Sequence, residues 1–545
     1  MKKVVKIGNV ILISFCLLIP LFLFLNRFLI PDVSYDSLNY HLFLGQRGIE
    51  TYNNKFEFFP TGIHNFSPIF DIPGYILTNL FGYRLGSISS LIFLYLSVFV
   101  IYKIFRLYQP KYKIIDQWWG ALFLVNIFFS FEAFLQIATF YVDIQVAFWT
   151  LLGLYFLLKY EKSKMTWDVI LSSLSMGILF LGKMTGAYFL LPYFVYLFFI
   201  LWNDKKLSLK NKIGQILLSG FIILSISLST FYKNFKLTGN PVFPYYNAIF
   251  MSEYYPTGGN FTQDKSGGDT IVDKIFWGIV SVGKPQKLGQ VHDLFHDYKI
   301  NIYFGLIFLV IAWSIYKKDK KLLKLSLLYL FSYEVWSWVF GYLRYAIFLE
   351  FFGALIIFIW LTKLKGMKKY VVIIPLFFIL LLQNKRIVNL SLAYDISFRP
   401  GFFYNRLSYP KEWDNFNIKK INVDEALINK YQPKVYLNCA SPNMSYLVLS
   451  DFENLPVVNI DNRAYKMMTD NQFYVDKSKE LFSKYNSGES FNFVTIAAET
   501  GLNAFYKECK ENLISRNYKI YEEVDSNFLG YEGQKLKIIF GRFSW

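Results

Sequence analysis

The strongest constraint on this chain is a repeated pattern: from residue 7 to residue 384, apolar runs return again and again, separated by short charged stretches. Each run is about twenty residues long, the length at which a helix crosses the hydrocarbon core of a bilayer. An ordinary core helix needs only an apolar stripe, whereas these runs are apolar all round. A single soluble domain and a disordered basic protein are both excluded. The composition agrees, with 54% hydrophobic residues and 20% aromatics.

Met1–Ile30 begins with Lys2, Lys3 and Lys6 and continues apolar through Phe22–Phe28. No small-residue cleavage site follows, so it reads as a retained span rather than a removed signal peptide. Further spans are expected near 86–108, 116–134, 141–160, 168–182, 186–202, 212–232, 300–316, 322–340, 345–362 and 369–384, about eleven in all. Residues 168–202 read as two short spans joined by a tight turn at Gly182-Lys183-Met184-Thr185-Gly186. A single span there would put Lys205, Lys206, Lys210 and Lys212 on the wrong side.

The formal charge of +18 invites a nucleic-acid reading until the charges are placed. With the amino terminus inside, the inner ends of the spans carry 23 Lys and Arg against five acidic residues. The basic excess is therefore an orientation signal, and no nucleic-acid partner is expected. The scheme places outside a first loop (about 31–85), a second loop (about 233–299) and the tail from residue 385. All four histidines, His41, His64, His292 and His296, fall on that outer side.

The tail is different material. Residues 385–545 hold 21 basic and 19 acidic residues and no run long enough to span. Short strands are expected at Lys434–Leu437, Leu455–Ile460 and Phe491–Ala497, a helix over 502–517, and a hairpin over Leu529–Phe543 turning at Glu532-Gly533. The division expected is thus a membrane domain, 1–384, and a small extracytoplasmic α/β domain, 385–545. Cys16 lies in the first span; Cys439 and Cys509 pair if the tail is outside, although two separate buried thiols are the plainer reading.

Chemistry is expected on the outer face. Just past span one comes Asp32-Val33-Ser34-Tyr35-Asp36-Ser37-Leu38-Asn39-Tyr40-His41, which reads as an acid/base cluster or as a solvated loop start. Asp-x-Leu-x-Tyr-His in this place resembles the integral-membrane glycosyltransferases of the GT-C fold, in layout the protein mannosyltransferases and the lipid A aminoarabinose transferase. That resemblance implies an all-α polytopic membrane fold and transfer of a sugar from a polyprenyl-phosphate carrier to an acceptor on the outer face of the cytoplasmic membrane. It implies Asp36 as catalytic base; the family's Asp-Glu pair is Asp36-Ser37 here. Asp143, in Thr139-Phe140-Tyr141-Val142-Asp143, is similar to the family's acidic residue at the start of the fourth helix. Lys183 matches its small-residue/Lys turn, Asp297 the segment leading into a helix near the active site, and Arg344-Tyr345 its Arg-Tyr pair near the lipid phosphate.

The residues themselves suit that chemistry. An Asp-x-Asp metal motif, a Gly-x-Gly-x-x-Gly and a P-loop are all absent, so a nucleotide-sugar donor is not expected. Arg344 has the planar fork that binds two phosphate oxygens, and Lys183 is a second phosphate candidate or a snorkelling interfacial lysine. Asp143 and Glu334 lie near or within apolar runs, where a carboxylate costs roughly 2.5–3.5 kcal/mol at mid-bilayer, so both should face a polar cavity. Asn240-Pro241-Val242-Phe243-Pro244-Tyr245-Tyr246 reads as a rigid turn that covers the donor groove or anchors at the interface. His292 and His296 stand at i and i+4 with Asp293 and Asp297 beside them; without a His-Glu-x-x-His signature, they read as a polar wall or plain loop rather than a metal site. The site expected is Asp36 as base, Arg344 and Lys183 on the donor phosphate, and Tyr40, His41, Asp143, Tyr245, Tyr246, His296, Asp297 and Tyr345 around the substrates, with no cofactor. The acceptor is left open among glycan, glycolipid and protein. The rival readings are a polysaccharide polymerase, a lipid-linked sugar flippase and a non-catalytic anchor for the tail.

Overall fold

A computed structural model describes residues 2–28, 32, 36–50, 67–110, 130–254, 270–283, 298–339, 341–364, 421–439, 444–452, 455–460, 472, 475–476, 479–480, 490–499, 505–528 and 531–544. Helix α1 (Lys2–Phe28) is followed, past a gap in that description, by a π-helical turn (Ser37–His41) that runs into α2 (Leu42–Glu50). Then come α3 (Ile72–Phe81), α4 (Ile88–Tyr108), α5 (Asp143–Ser163), α6 (Thr166–Gly182), α7 (Leu190–Trp202) and α8 (Leu209–Thr238). The bundle continues with α9 (Lys299–Tyr316), α10 (Lys320–Val339) and α11 (Ile347–Lys363). Nine of the eleven expected spans coincide with these helices; 369–384 and most of 116–134 lie outside the described residues. Among the described residues, six helical stretches are long and apolar enough to cross a membrane.

Apart from Glu350 in its first turn, helix α11 is apolar all round as far as Leu361, and a helix of that kind belongs in a core. Every residue from Ile347 to Leu361 is buried, so this span sits at the centre of the bundle, among α4, α5, α9 and α10. Helix α8 is its opposite. Ile213, Leu217, Phe221, Leu224, Leu228 and Phe235 recur every three or four residues and stay exposed, a stripe suited to lipid contact. Its ends are set locally: the Ser208 hydroxyl accepts from the Asn211 amide, and Gly239 takes the left-handed conformation (φ 72°) that closes the last turn.

In the tail, α12 (Glu425–Tyr431), α13 (Met444–Val448) and α14 (Tyr506–Ser515) accompany a five-stranded sheet of order β2-β1-β3-β5-β4. The strands are β1 (Val435–Asn438), β2 (Val457–Asn459), β3 (Ser490–Ala498), β4 (Lys519–Phe528) and β5 (Tyr531–Ser544). β1 pairs in parallel with β2 and β3, while β3, β5 and β4 are antiparallel. Two sequence expectations are corrected here. The hairpin turns between Phe528 and Tyr531, which pair with each other, so Glu532 and Gly533 lie within β5 and the preceding strand is β4. Cys439 and Cys509 form a disulfide, joining the end of β1 to α14.

Strand alternation gives the sheet two apolar faces. Tyr436, Val494, Ile496, Ile538 and Phe540 pack with Leu38, Leu42 and Phe43 of the first long segment between spans. Val435, Leu437, Phe493 and Ile539 pack with Leu513 of α14 and with Phe243 and Tyr254 of the second. The tail therefore grips both segments that flank the site, and the Ser445 hydroxyl donates to the Ser37 carbonyl at 2.9 Å.

Candidate active site

Four charged side chains meet where helices begin or break, the places where backbone groups are unpaired and polar side chains are retained. Asp36 precedes the π turn, Asp143 opens α5, Lys183 stands extended between α6 and a 3-10 turn (Met184–Phe189), and Arg344 lies on a second 3-10 turn (Leu343–Ala346) before α11. Asp143 is well placed electrostatically, since a helix N-terminus favours negative charge.

Arg344 joins them. Its Nη1 donates to Asp36 Oδ2 at 2.6 Å, across 308 residues of sequence, and its Nε forms an ion pair with Asp143 Oδ2 at 3.1 Å. The Lys183 ammonium donates to the other Asp143 oxygen. Gln136 fixes this carboxylate from below, its Nε2 donating to Asp143 Oδ2 at 3.2 Å and its Oε1 accepting from the Ile144 amide at 3.3 Å. The guanidinium lies 5.0 Å from the Tyr141 ring centre and 5.6 Å from that of Tyr345, and Lys183 lies 5.1 Å from Tyr345. All four charges are largely withdrawn from solvent, Asp143 to 2% side-chain exposure. Buried ion clusters contribute little to stability and are costly to break, which makes this one the candidate site.

A pocket of about 860 Å³, counting its open mouth, lies against the cluster. Asp36, Tyr40 and His41 line the pocket on one element, Lys183, Arg344 and Tyr345 on others, and Val242, Phe243 and Tyr245 from the second long segment between spans. That last segment is a turn held by Asn240, whose Oδ1 accepts from the Val242 amide and whose Nδ2 donates to the Tyr245 carbonyl, both at 2.9 Å. Tyr246 in the same turn is 56% exposed and does not line the pocket. Glu334, expected in a polar cavity, lies on α10 and does not line this one either. His292, Asp293, His296 and Asp297 lie outside the described residues.

Three buried polar residues had not been singled out by role. Asp32 is a bracket: its carboxylate accepts from the Ser37 hydroxyl at 2.5 Å and the Phe140 amide at 2.9 Å, and its carbonyl accepts from Tyr83. Asp71 accepts from His41 Nδ1 at 2.5 Å and lines the pocket. Gln136 is fully buried under Asp143. Sequence spacing carries no sign of Gln136 or Asp71, because each meets its partner only through the packing of separate helices. Burial pushes the Asp36 carboxyl up, but Arg344, His41 and Lys183 outweigh it and hold the group below the usual carboxylate value. At Asp71 burial wins over His41, and the carboxyl is raised.

The arrangement offers two cations beside a pocket, both held by Asp143, and against Arg344 the Asp36 carboxylate, whose proton affinity is lowered. It suits an anionic ligand whose charge grows during a reaction. No protein-family model matches the sequence, and no curated protein matches it. The crystal structure of ArnT from Cupriavidus metallidurans bound to undecaprenyl phosphate superimposes with a TM-score of 0.50 at 12% identity, covering 98% of each chain. The apo form of ArnT gives 0.49 at 11% identity, again over 98% of each chain. An oligosaccharyltransferase from Archaeoglobus fulgidus gives 0.48 at 12% identity, over 89% of this chain and 67% of that one. The first, over essentially the whole of both chains, shows that this chain has a GT-C fold: a polytopic helical bundle with a small sheet domain at its C-terminal end.

Proposed function

We propose that this multi-pass membrane protein transfers a sugar from a polyprenyl-phosphate carrier to an acceptor hydroxyl on the outer face of the cytoplasmic membrane. The observation that carries the reading is the contact between Asp36 and Arg344 at the wall of the pocket, in a chain folded like an enzyme crystallised with undecaprenyl phosphate. Asp36 removes the proton of the acceptor hydroxyl, whose oxygen attacks the anomeric carbon in line. The carrier phosphate leaves from the opposite side with the bonding electron pair. Arg344 supplies planar donors to that phosphate, and Lys183 supplies a compact charge. Asp143 and Gln136 keep both cations aimed at the pocket before substrate arrives, and such preorganisation is what makes charge stabilisation effective. Tyr40, His41, Tyr245 and Tyr345 shape the substrate space. Residues 1–384 form the membrane domain, with the amino terminus inside, and 385–545 an outer domain that steadies the wall holding Asp36.

The test is genetic and chemical together. Surface glycans of a wild-type strain and an Asp36→Asn strain are compared by mass spectrometry, with expression and membrane insertion checked by immunoblot. The mutant is expected to lack one sugar, which identifies both donor and product. An unchanged glycan profile at normal protein level contradicts the reading.

A further inference from the structure

One wall of the pocket carries a pair that the transfer step leaves unused. His41 donates from Nδ1 to Asp71 Oδ1 at 2.5 Å, with both side chains at 5% exposure or less. When Nδ1 donates in this contact, the neutral ring carries its lone pair on Nε2. Nε2 is buried, has no hydrogen-bond partner among the described residues, and belongs to a residue lining the pocket. A buried acceptor without a partner costs free energy, so it is met by something that enters with a hydrogen to give.

The π turn explains why this residue stands beside the base. Its bonds close at i+5 rather than i+4, and Asp36 and His41 are five apart. An α-helical turn sends such a pair to different faces; the wider turn puts both on the pocket wall. Such turns recur at functional sites. The charged and titratable groups around His41 are Asp36 and Tyr40 on its own turn, Asp71 before α3, Tyr141 with its ring centre 5.9 Å away, and Lys183 and Arg344 across the pocket.

Resting on the assignment of Asp36 as base, we infer that His41 is a proton-relay residue: its Nε2 receives the proton that Asp36 takes from the acceptor hydroxyl, with Asp71 as its positioning residue. Asp36 is a poor place for that proton to stay, because Arg344 holds its carboxylate in the charged form. Asp71 steadies the imidazolium, as a carboxylate does behind a catalytic histidine. The atoms balance. The acceptor O–H bond breaks, the new O–C bond forms, and the bond from the anomeric carbon to the phosphate oxygen breaks with its electron pair going to phosphate. The proton passes from Asp36 to His41 Nε2 and then to the departing phosphate monoester, whose second ionisation lies near 6 and so accepts a proton around neutrality.

The experiment uses the full-length protein in lipid nanodiscs, with the donor and acceptor identified by the strain comparison and undecaprenyl phosphate as a binding probe. His41→Gln keeps the size of the ring but cannot carry a proton. It is expected to lower kcat by about 10²-fold or more, to leave undecaprenyl-phosphate affinity within threefold, and to flatten the pH dependence near neutrality. Asp71→Asn should shift that pH dependence, and the double variant should be no slower than His41→Gln alone. A His41→Gln enzyme with wild-type kcat and an unshifted pH profile overturns the relay, as does loss of undecaprenyl-phosphate binding, which would make His41 a phosphate ligand or a purely structural residue. Normal turnover in Asp36→Asn overturns the base assignment itself, so the two failures are told apart.

Discussion

Replacing Cys439 and Cys509 together by alanine is expected to loosen the five-stranded sheet by a calculable amount. The bond joins residues 70 apart in sequence. In the chain-entropy account, closing a loop of that length removes disorder from the unfolded chain worth about 4.4 kcal/mol at room temperature. Both cysteines also belong to the cluster formed by Val435, Leu437, Phe493 and Ile539, so their removal takes packing from the same face. Strand β3 lies between β1 and β5 at the middle of the sheet, and its amides exchange with solvent only when the sheet opens. Hydrogen exchange followed by mass spectrometry on the full-length protein is the assay. Peptides covering Phe491–Ala498 should exchange about 10³-fold faster in the double variant, the rate equivalent of that energy. Exchange in β3 within tenfold of wild type, with loss confined to α14, would refute the reasoning: the bond would then pin one helix and carry no part of the sheet.

Further outcomes follow from the site. Arg344→Lys keeps the charge but cannot span Asp36 and Asp143 at once, so undecaprenyl-phosphate binding should weaken by about tenfold or more; equal affinity would remove the arginine's planar fork from the account. Ser445→Ala deletes the hydrogen bond from the tail to the Ser37 carbonyl, worth about 1 kcal/mol, and should raise exchange in peptides spanning 37–43 by about fivefold while β3 is unchanged. The Asp36 carboxyl is lowered in the folded chain, so its stabilising contribution is complete above its unfolded value and is lost as pH falls through the folded one. The difference in Tm between wild type and Asp36→Asn should therefore hold from pH 7 to about 5 and shrink only below about 4. A difference that closes near pH 6 would show that Arg344 does not govern this carboxyl.

Much of this molecule was legible in the sequence because membrane burial writes itself into composition. Nine expected spans have matching helices, and the turn at Lys183 stands where its small residues and charge place it. Strands β1, β2 and β3 followed from short apolar runs. What periodicity could not supply was which spans lie inside the bundle: both α8 and α11 read as apolar, yet one faces outward and the other is buried throughout. The hairpin turn was misplaced because the Glu532-Gly533 signal marks an irregularity inside the ladder, between the Asn527–Lys535 and Phe528–Tyr531 pairs, and not the turn itself. At the site, Asp36, Asp143, Lys183 and Arg344 were singled out by the resemblance of their motifs to the GT-C glycosyltransferases, and the structure brings the four together. Asp71 and Gln136 were not singled out, since a buried partner is defined by the fold and by no local pattern.

The most direct measurement is release of undecaprenyl phosphate by the purified protein in a bilayer, supplied with the undecaprenyl-phosphate form of the sugar found missing from the Asp36→Asn strain and with its acceptor. Wild type is expected to release the carrier only when acceptor is present, and Asp36→Asn to release none while still binding it. Release by Asp36→Asn at the wild-type rate, or no release by wild type with both substrates present, would contradict the account.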